Sequence, residues 1–481
     1  MTCHELSGAP RASPWHLPVR PWGGILSKSP RPRPGLESKG RMKKILSSLA
    51  GFYLTMTLAA PLEAGLVPKR SVLDNGVVLL TSEQRTLPML SVELLIDAGS
   101  RYDAASQEGL ANLTARLLTY GTKRRSALQI SETLDFIGAS LSAGCGDDTA
   151  SVSMTVLKKD LATGLELLAE VLTASTFPQD EIDRQRQSVI ASIKAREERP
   201  GDIAQRRFAA ALYPQSPYGR PVEGTEASIK GIQQKSLRDF YGRYYRPNRT
   251  ILSVVGDISQ QEITHALNQA FRSWNQGEPG GKPLIPSNLG APQMIRVNKD
   301  LTQANIILGH QGVGRENPDY YAVQVMNYIL GGGGFSSRAM DSIRNERGLA
   351  YSIYSYFSAE RGRGEFQLVM QTKNETAQEA IQLANAELRR IREQPVSEQE
   401  LSDAKDYLIG SFPLRLDTNR KVANFLAQVE FFQLGLDYPE RYPELIRKVT
   451  RDDIQRAARQ YLQPEKLIAV VVGNQKKIGE K

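Results

Sequence analysis

Two stretches of the chain repeat one succession of apolar and polar positions. Residues 229–257, IKGIQQKSLRDFYGRYYRPNRTILSVVGD, and residues 446–474, IRKVTRDDIQRAARQYLQPEKLIAVVVGN, align without a gap, pairing Ile229 with Ile446, Tyr244 with Tyr461, Pro247 with Pro464 and Gly256 with Gly473. In each copy the apolar residues first recur at helical spacing. A proline turn follows, and then a continuous Ile/Val/Leu run of the kind that forms a buried strand. A match over 29 positions implies two homologous halves of about 200 residues each.

The halves are read as residues 68–274 and 293–478, joined by NQGEPGGKPLIPSNLGAP (275–292), whose glycines and prolines carry little periodicity. Strand-like runs occur at Val77–Thr81, Leu90–Ile96, Ala304–Gly309 and Glu365–Gln371. Helical patterns occur at Leu161–Thr173 and Thr376–Glu393, and GLANLTARLLTYGT (109–122) places Leu110, Leu113, Leu117 and Leu118 on one face of a helix. Strands and helices do not alternate strictly, which favours an α+β fold: two homologous domains, each an antiparallel-rich sheet packed by helices.

Composition narrows the function. The 481 residues carry a formal charge of +9, but 9 Lys+Arg against 3 Asp+Glu lie in residues 1–64. The body is close to neutral and lacks the one-sided charge of a nucleic-acid-binding surface. Cys3 and Cys145 are the two cysteines, and His4, His16, His265 and His310 the four histidines. Cys145 alone in the body builds neither a disulfide framework nor a thiolate cluster, and no two histidines stand one helical turn apart. Cys145 reads as a small core residue, His310 as a structural histidine, and KAREER (194–199) as a solvated helical face.

Residues 42–64, MKKILSSLAGFYLTMTLAAPLEA, have a basic head, a short apolar stretch and a small residue, Ala64, at a plausible cleavage point. This is the layout of a secretory signal peptide, with an apolar run short for a membrane span; a retained anchor and, given Arg11, Arg20, Arg31 and Arg33, a mitochondrial presequence are the other readings. Residues 1–41, rich in Pro, Arg and Ser, have no place before such a signal, so translation is expected to begin at Met42. The mature chain is therefore expected to be exported to the periplasm, without a stable membrane span.

The helix at 109–122 resembles the active-site helix of the pitrilysin/insulinase metallopeptidases, the inverzincins, whose signature is His-x-x-Glu-His. The resemblance extends through PYGRPVEGT (217–225), the RYYRPN and VVGD of the first half, and LGGGGFSSRAMDSIRNERGLAYSIYS (330–355). It implies paired homologous α+β domains forming half of a clam-shell. In that family two His and a distant Glu hold Zn²⁺, and the Glu of the signature is the general base. The signature falls here on Asn112, Ala115 and Arg116, and the distant ligand on Ser192. Asn and Ser are poor zinc ligands, Ala moves no proton, and Arg sets a permanent positive charge where the cation belongs.

The same resemblance matches Arg344 and Tyr351 to the family's Arg/Tyr pair, which implies that Arg344 holds substrate carbonyls and Tyr351 donates to the developing oxyanion. Gly348 between them is expected to end a helix, leaving Tyr351 on an extended segment. Gly331, Gly332, Gly333 and Gly334 read either as a substrate loop or as a plain strand-to-helix turn; no Gly-Lys-Ser/Thr follows to make a phosphate loop. Family members encoded as two chains divide the zinc motif and the Arg/Tyr pair between them, and this chain resembles the second kind. The expected function is thus a zinc-less subunit, without a cofactor of its own, that completes the peptide-hydrolysing site of a homologous zinc-bearing subunit. The alternatives are a silent scaffold of the same fold and a peptide-binding protein that adds segments to a strand edge. An independently active zinc protease is excluded by the ligand inventory.

Overall fold

The computed structural model describes residues 66–282 and 284–479. The leader read at 1–64, with its signal-peptide layout, lies outside the described residues.

Among the described residues eleven strands form two sheets. The first contains β1 (Lys69–Val72), β2 (Val78–Glu83), β3 (Met89–Ile96), β4 (Ser140–Cys145), β5 (Ala150–Leu157) and β6 (Thr250–Gly256), in the order β1-β2-β6-β3-β5-β4. The second contains β7 (Gln293–Asn298), β8 (Gln303–Gln311), β9 (Ala350–Glu360), β10 (Arg363–Lys373) and β11 (Ile468–Gly473), in the order β7-β11-β8-β10-β9. Leaving β1 aside, the two orders are identical under the correspondence β2 to β7 through β6 to β11. The duplication read from one stretch therefore extends through the whole topology. Each sheet has one parallel pair, β2–β6 and β7–β11; the remaining pairs are antiparallel, in the expected α+β class.

Apolar strands occupy the centres of the sheets because both their faces are covered. All six residues of β11 are buried, as are seven of the eight in β3. One face of the first sheet packs helices of its own half, including Leu110–Leu117, Leu161–Thr173 and Gln179–Glu197. The other face receives a helix from the second half: Val422 and Leu426 of Asn419–Phe431 join a core with Leu80 and Val255. The reverse also holds. Ile203, Phe208 and Leu212 of the first-half helix Pro200–Leu212 pack on Ile307, Ile468 and Val470 of the second sheet. Phe208 lies over Gly309 of β8, where a Cβ would come within 2.6 Å of its ring. The halves are interlocked by this exchange of helices, and neither sheet is covered by its own half alone.

Among the described residues no helix is long and apolar enough to cross a membrane.

Candidate functional site

The Leu110–Leu117 helix carries the positions at which the zinc signature is expected. Its N-terminus is held from a distance: the buried Asp103 carboxylate accepts from Gly109 N and Ala111 N, each at 2.9 Å, satisfying two of the donors a helix start leaves free. Gly109 and Gly224 mark a close crossing of backbones, since a Cβ at either would stand within 2.6 Å of a carbonyl oxygen of the other strand of chain. The glycine of the PYGRPVEGT segment thus seats this helix.

On that helix Arg116 is exposed, Asn112 half-buried and Ala115 fully buried. Ser192 lies exposed on the neighbouring Gln179–Glu197 helix. An amide, a methyl, a guanidinium and a hydroxyl form no donor set for Zn²⁺, so the residues present do not fit the family's metal. No group of three His, Cys, Asp or Glu able to hold a metal ion occurs among the described residues. His310 is in no position to help. Its ring is buried between Gln311 O, 2.6 Å from Nδ1, and Gln463 N, which donates to Nε2 at 3.0 Å. Burial lowers its pKa to about 4, so the imidazole is neutral and structural.

The second half gathers backbone irregularities around Arg344 and Tyr351. The helix Tyr320–Asn327 widens into a π-type turn over Tyr328–Gly332, where Gly333 N donates to Tyr328 O at 2.8 Å. A second π-type turn, Met340–Asn345, carries Arg344, with Glu346 N donating to Asp341 O at 2.9 Å. Such turns are frequent at functional sites. Gly348, at φ 63°, then reverses the chain into β9. Tyr351 is skipped by the ladder: Ser352 pairs with Gln371 and Ala350 with Thr372, leaving Tyr351 as the extra residue of a β-bulge. A bulge re-aims the side chain it frees. Tyr351 is 69% exposed, on an edge strand.

The glycine run joins two helical segments rather than a strand to a helix, which corrects the turn reading. Gly331 is buried against β9, where a Cβ would meet Ser355 N at 2.8 Å, so packing alone requires that glycine. Gly332 and Gly333 are half-buried, and buried Gly334 leads to Phe335, which is 66% exposed. The Arg344 guanidinium stands over the Phe335 ring at 4.9 Å. The fold thus brings the glycine run and Arg344 together. No hydrogen bond or ion pair joins Asn112, Arg116 or Ser192 to Arg344 or Tyr351 among the described residues.

Arg344 and its neighbour Arg338 differ in their ion pairing. Nearby Arg338 is neutralised by Glu400 through two hydrogen bonds of 2.6 and 2.9 Å. Arg344 has no carboxylate partner among the described residues, its one polar contact being Met340 Sδ at 3.8 Å from Nη1. A guanidinium left uncompensated and a free phenol are donors ready for carbonyl or carboxylate oxygens. Sequence reasoning missed Phe335, whose signal was a large aromatic directly after four glycines. It also missed Asp103, which no local pattern announces.

Comparison with known proteins places this geometry. The model of the insulinase family, peptidase family M16, matches residues 78–226, and that of the peptidase M16 inactive domain matches residues 231–408. An uncharacterized zinc protease of Streptomyces coelicolor is 27% identical over 412 residues, spanning 84% of this chain and 89% of that protein. The uncharacterized zinc protease YmxG of Bacillus subtilis is 29% identical over 357 residues, spanning 74% of this chain and 86% of its own. Among solved structures, the peptidase M16 inactive domain from Pseudomonas fluorescens matches with a TM-score of 0.81 at 28% identity, over 85% of this chain and 98% of that one. A protease from Helicobacter pylori matches with a TM-score of 0.77 at 21% identity, over 85% and 99% of the two chains, a likeness of fold. The division between the family models falls at residues 226–231, whereas β6 at Thr250–Gly256 still belongs to the first sheet. From strand order to glycine-rich turn, the chain belongs to the insulinase family, peptidase family M16, although the residues at its zinc signature cannot hold the metal.

Proposed function

We propose that the chain is the non-zinc subunit of an exported insulinase-type peptidase, and that it completes the chamber and peptide site of a homologous zinc-bearing subunit. The observation that carries this reading is the pairing of an uncompensated guanidinium, Arg344, with a bulged, exposed phenol, Tyr351, in a chain whose own signature positions are chemically vacant. Held donors without internal partners favour an active role over a scaffold.

In this reading the partner subunit supplies zinc and its activated water. Arg344 holds carbonyl oxygens of the bound peptide through its N–H fork, and the Tyr351 hydroxyl donates to the carbonyl oxygen as negative charge develops on it. A donor aimed at that charge is worth roughly 3 kcal/mol, or a factor of about 10² to 10³ in kcat. The signal-like segment at 42–64 supports export to the periplasm.

The test is reconstitution with a copurifying zinc-bearing subunit on peptide substrates. Arg344→Ala and Tyr351→Phe should each lower turnover about a hundredfold while assembly, followed by gel filtration, stays intact. Unchanged turnover in both variants would remove the active role. The edge position of β9 favours one other reading, capture of extended peptides by this chain alone. Peptide affinity of the isolated chain, measured by calorimetry, separates it from the first.

A further inference from the structure

The β4–β5 and β9–β10 hairpins hold equivalent places in the two sheets, and their tips meet across the junction of the halves. Arg363, the first residue of β10, makes the junction. Its side chain is 8% exposed; Nη2 lies 2.9 Å from Asp147 Oδ2 and 3.8 Å from Asp148 Oδ2. The guanidinium stands 3.7 Å over the Tyr218 ring, and the Tyr218 hydroxyl donates to Asp148 Oδ1 at 2.7 Å. Tyr213 adds a hydrogen bond from its hydroxyl to Gly364 O at 3.0 Å. Tyr218 belongs to the PYGRPVEGT segment, so the motif that seats the signature helix also reaches the other half.

The charge at this junction is unbalanced. Asp147 and Asp148 come from the first half, Glu360 and Glu365 from the second, and Arg363 faces all four. Arg101 approaches Asp148 at 3.7 Å but is already committed to Asp97 at 2.7 Å. Burial pushes the carboxyls of Asp147 and Glu360 up, Glu360 to about 7, with Arg363 the largest charge opposing the rise. Burial likewise works against the Arg363 charge, but Asp147, Glu360 and Asp148 outweigh it and raise its pKa. Without that guanidinium the two tips would lose the cation that bridges them, and their buried carboxyls would rise further and take up protons. Glu360 is the cross-strand partner of Arg363 and the last residue of β9, an edge strand of the described sheet that pairs with β10.

We propose that Arg363 is a positioning residue: through Asp147, Asp148 and Tyr218 it locks the β9–β10 hairpin onto the first half and so fixes the strand that presents Tyr351. The lock stands on the geometry alone; its catalytic consequence rests on the proposed function.

Amide hydrogen exchange on the full chain reads the lock directly. Arg363→Met should speed exchange along β9 and the β10 tip at least about tenfold and leave the centres of β8 and β11 unchanged. Arg363→Lys, which keeps the charge, should restore most of the protection. Should Arg363→Met fail to fold, Asp147→Asn combined with Asp148→Asn removes the cross-junction partners and should give the same local pattern. In the reconstituted pair Arg363→Met should lower kcat with KM little changed, because the Tyr351 contact forms in the transition state, and Arg363→Lys should recover it. Unchanged exchange in β9, or exchange raised evenly over both sheets, would overturn the proposal. If wild-type chain and partner together cleave no peptide, the proposed function fails while the exchange pattern still decides the lock.

Discussion

His310 shows how a single side chain can be tied to a pH window. Its imidazole is neutral and buried in the folded chain, with a pKa lowered to about 4, whereas in the unfolded chain it titrates near 6.5. Below pH 6.5 the unfolded state therefore binds a proton that the folded state refuses, and folding stability falls as pH drops from about 6.5 to 4. The loss amounts to roughly 3 kcal/mol once both forms are protonated. Urea unfolding at a series of pH values should show wild type losing more stability than His310→Gln between about pH 6.5 and 4, the difference between the two reporting the imidazole. Equal slopes would mean that the imidazole is not shielded as described. The histidine was read from sequence as structural because it lay alone at a strand end. Its partner Gln463 N is 153 residues away, and no sequence pattern points to it.

At the scale of elements, legibility followed burial. The helix Leu161–Thr173 was read to its ends because its apolar residues recur at helical spacing, and the central strands because they are continuous apolar runs. Edge strands escaped. SLSAGC of β4 and AYSIYSYFSAE of β9 hide short alternations among small and hydroxyl residues, and β9 is further broken by the bulge at Tyr351. The exchange of helices was also invisible, since an amphipathic face records that it is buried but not against which sheet. Pro200–Leu212 makes the point testable. Truncating fully buried Phe208 should cost about 3–5 kcal/mol. Although Phe208 belongs to the first half, the amides losing protection should be those of β8 and β11. Loss of protection confined to the first sheet would contradict the exchanged packing.

For the whole molecule, one lineage accounts for two unequal remainders. The scaffold of duplicated sheets, the crossing at Gly109 and Gly224, and the glycine-rich turn are all present. The positions expected for the zinc signature hold Asn112, Ala115, Arg116 and Ser192. Related chains named zinc proteases share the fold, but their name does not extend to this donor set. The reading of these positions rests on residue identity alone, on which coordination chemistry depends. The lack of a counter-charge for Arg344 and the bulge that frees Tyr351 were not legible in sequence, because both are properties of the packed chain. The most direct measurement is the zinc content of this chain purified alone, taken together with its chelator-sensitive peptide hydrolysis. The account predicts substoichiometric, weakly held zinc and no turnover until a zinc-bearing subunit is added; one equivalent of tightly bound zinc with chelator-sensitive cleavage by the lone chain would contradict it.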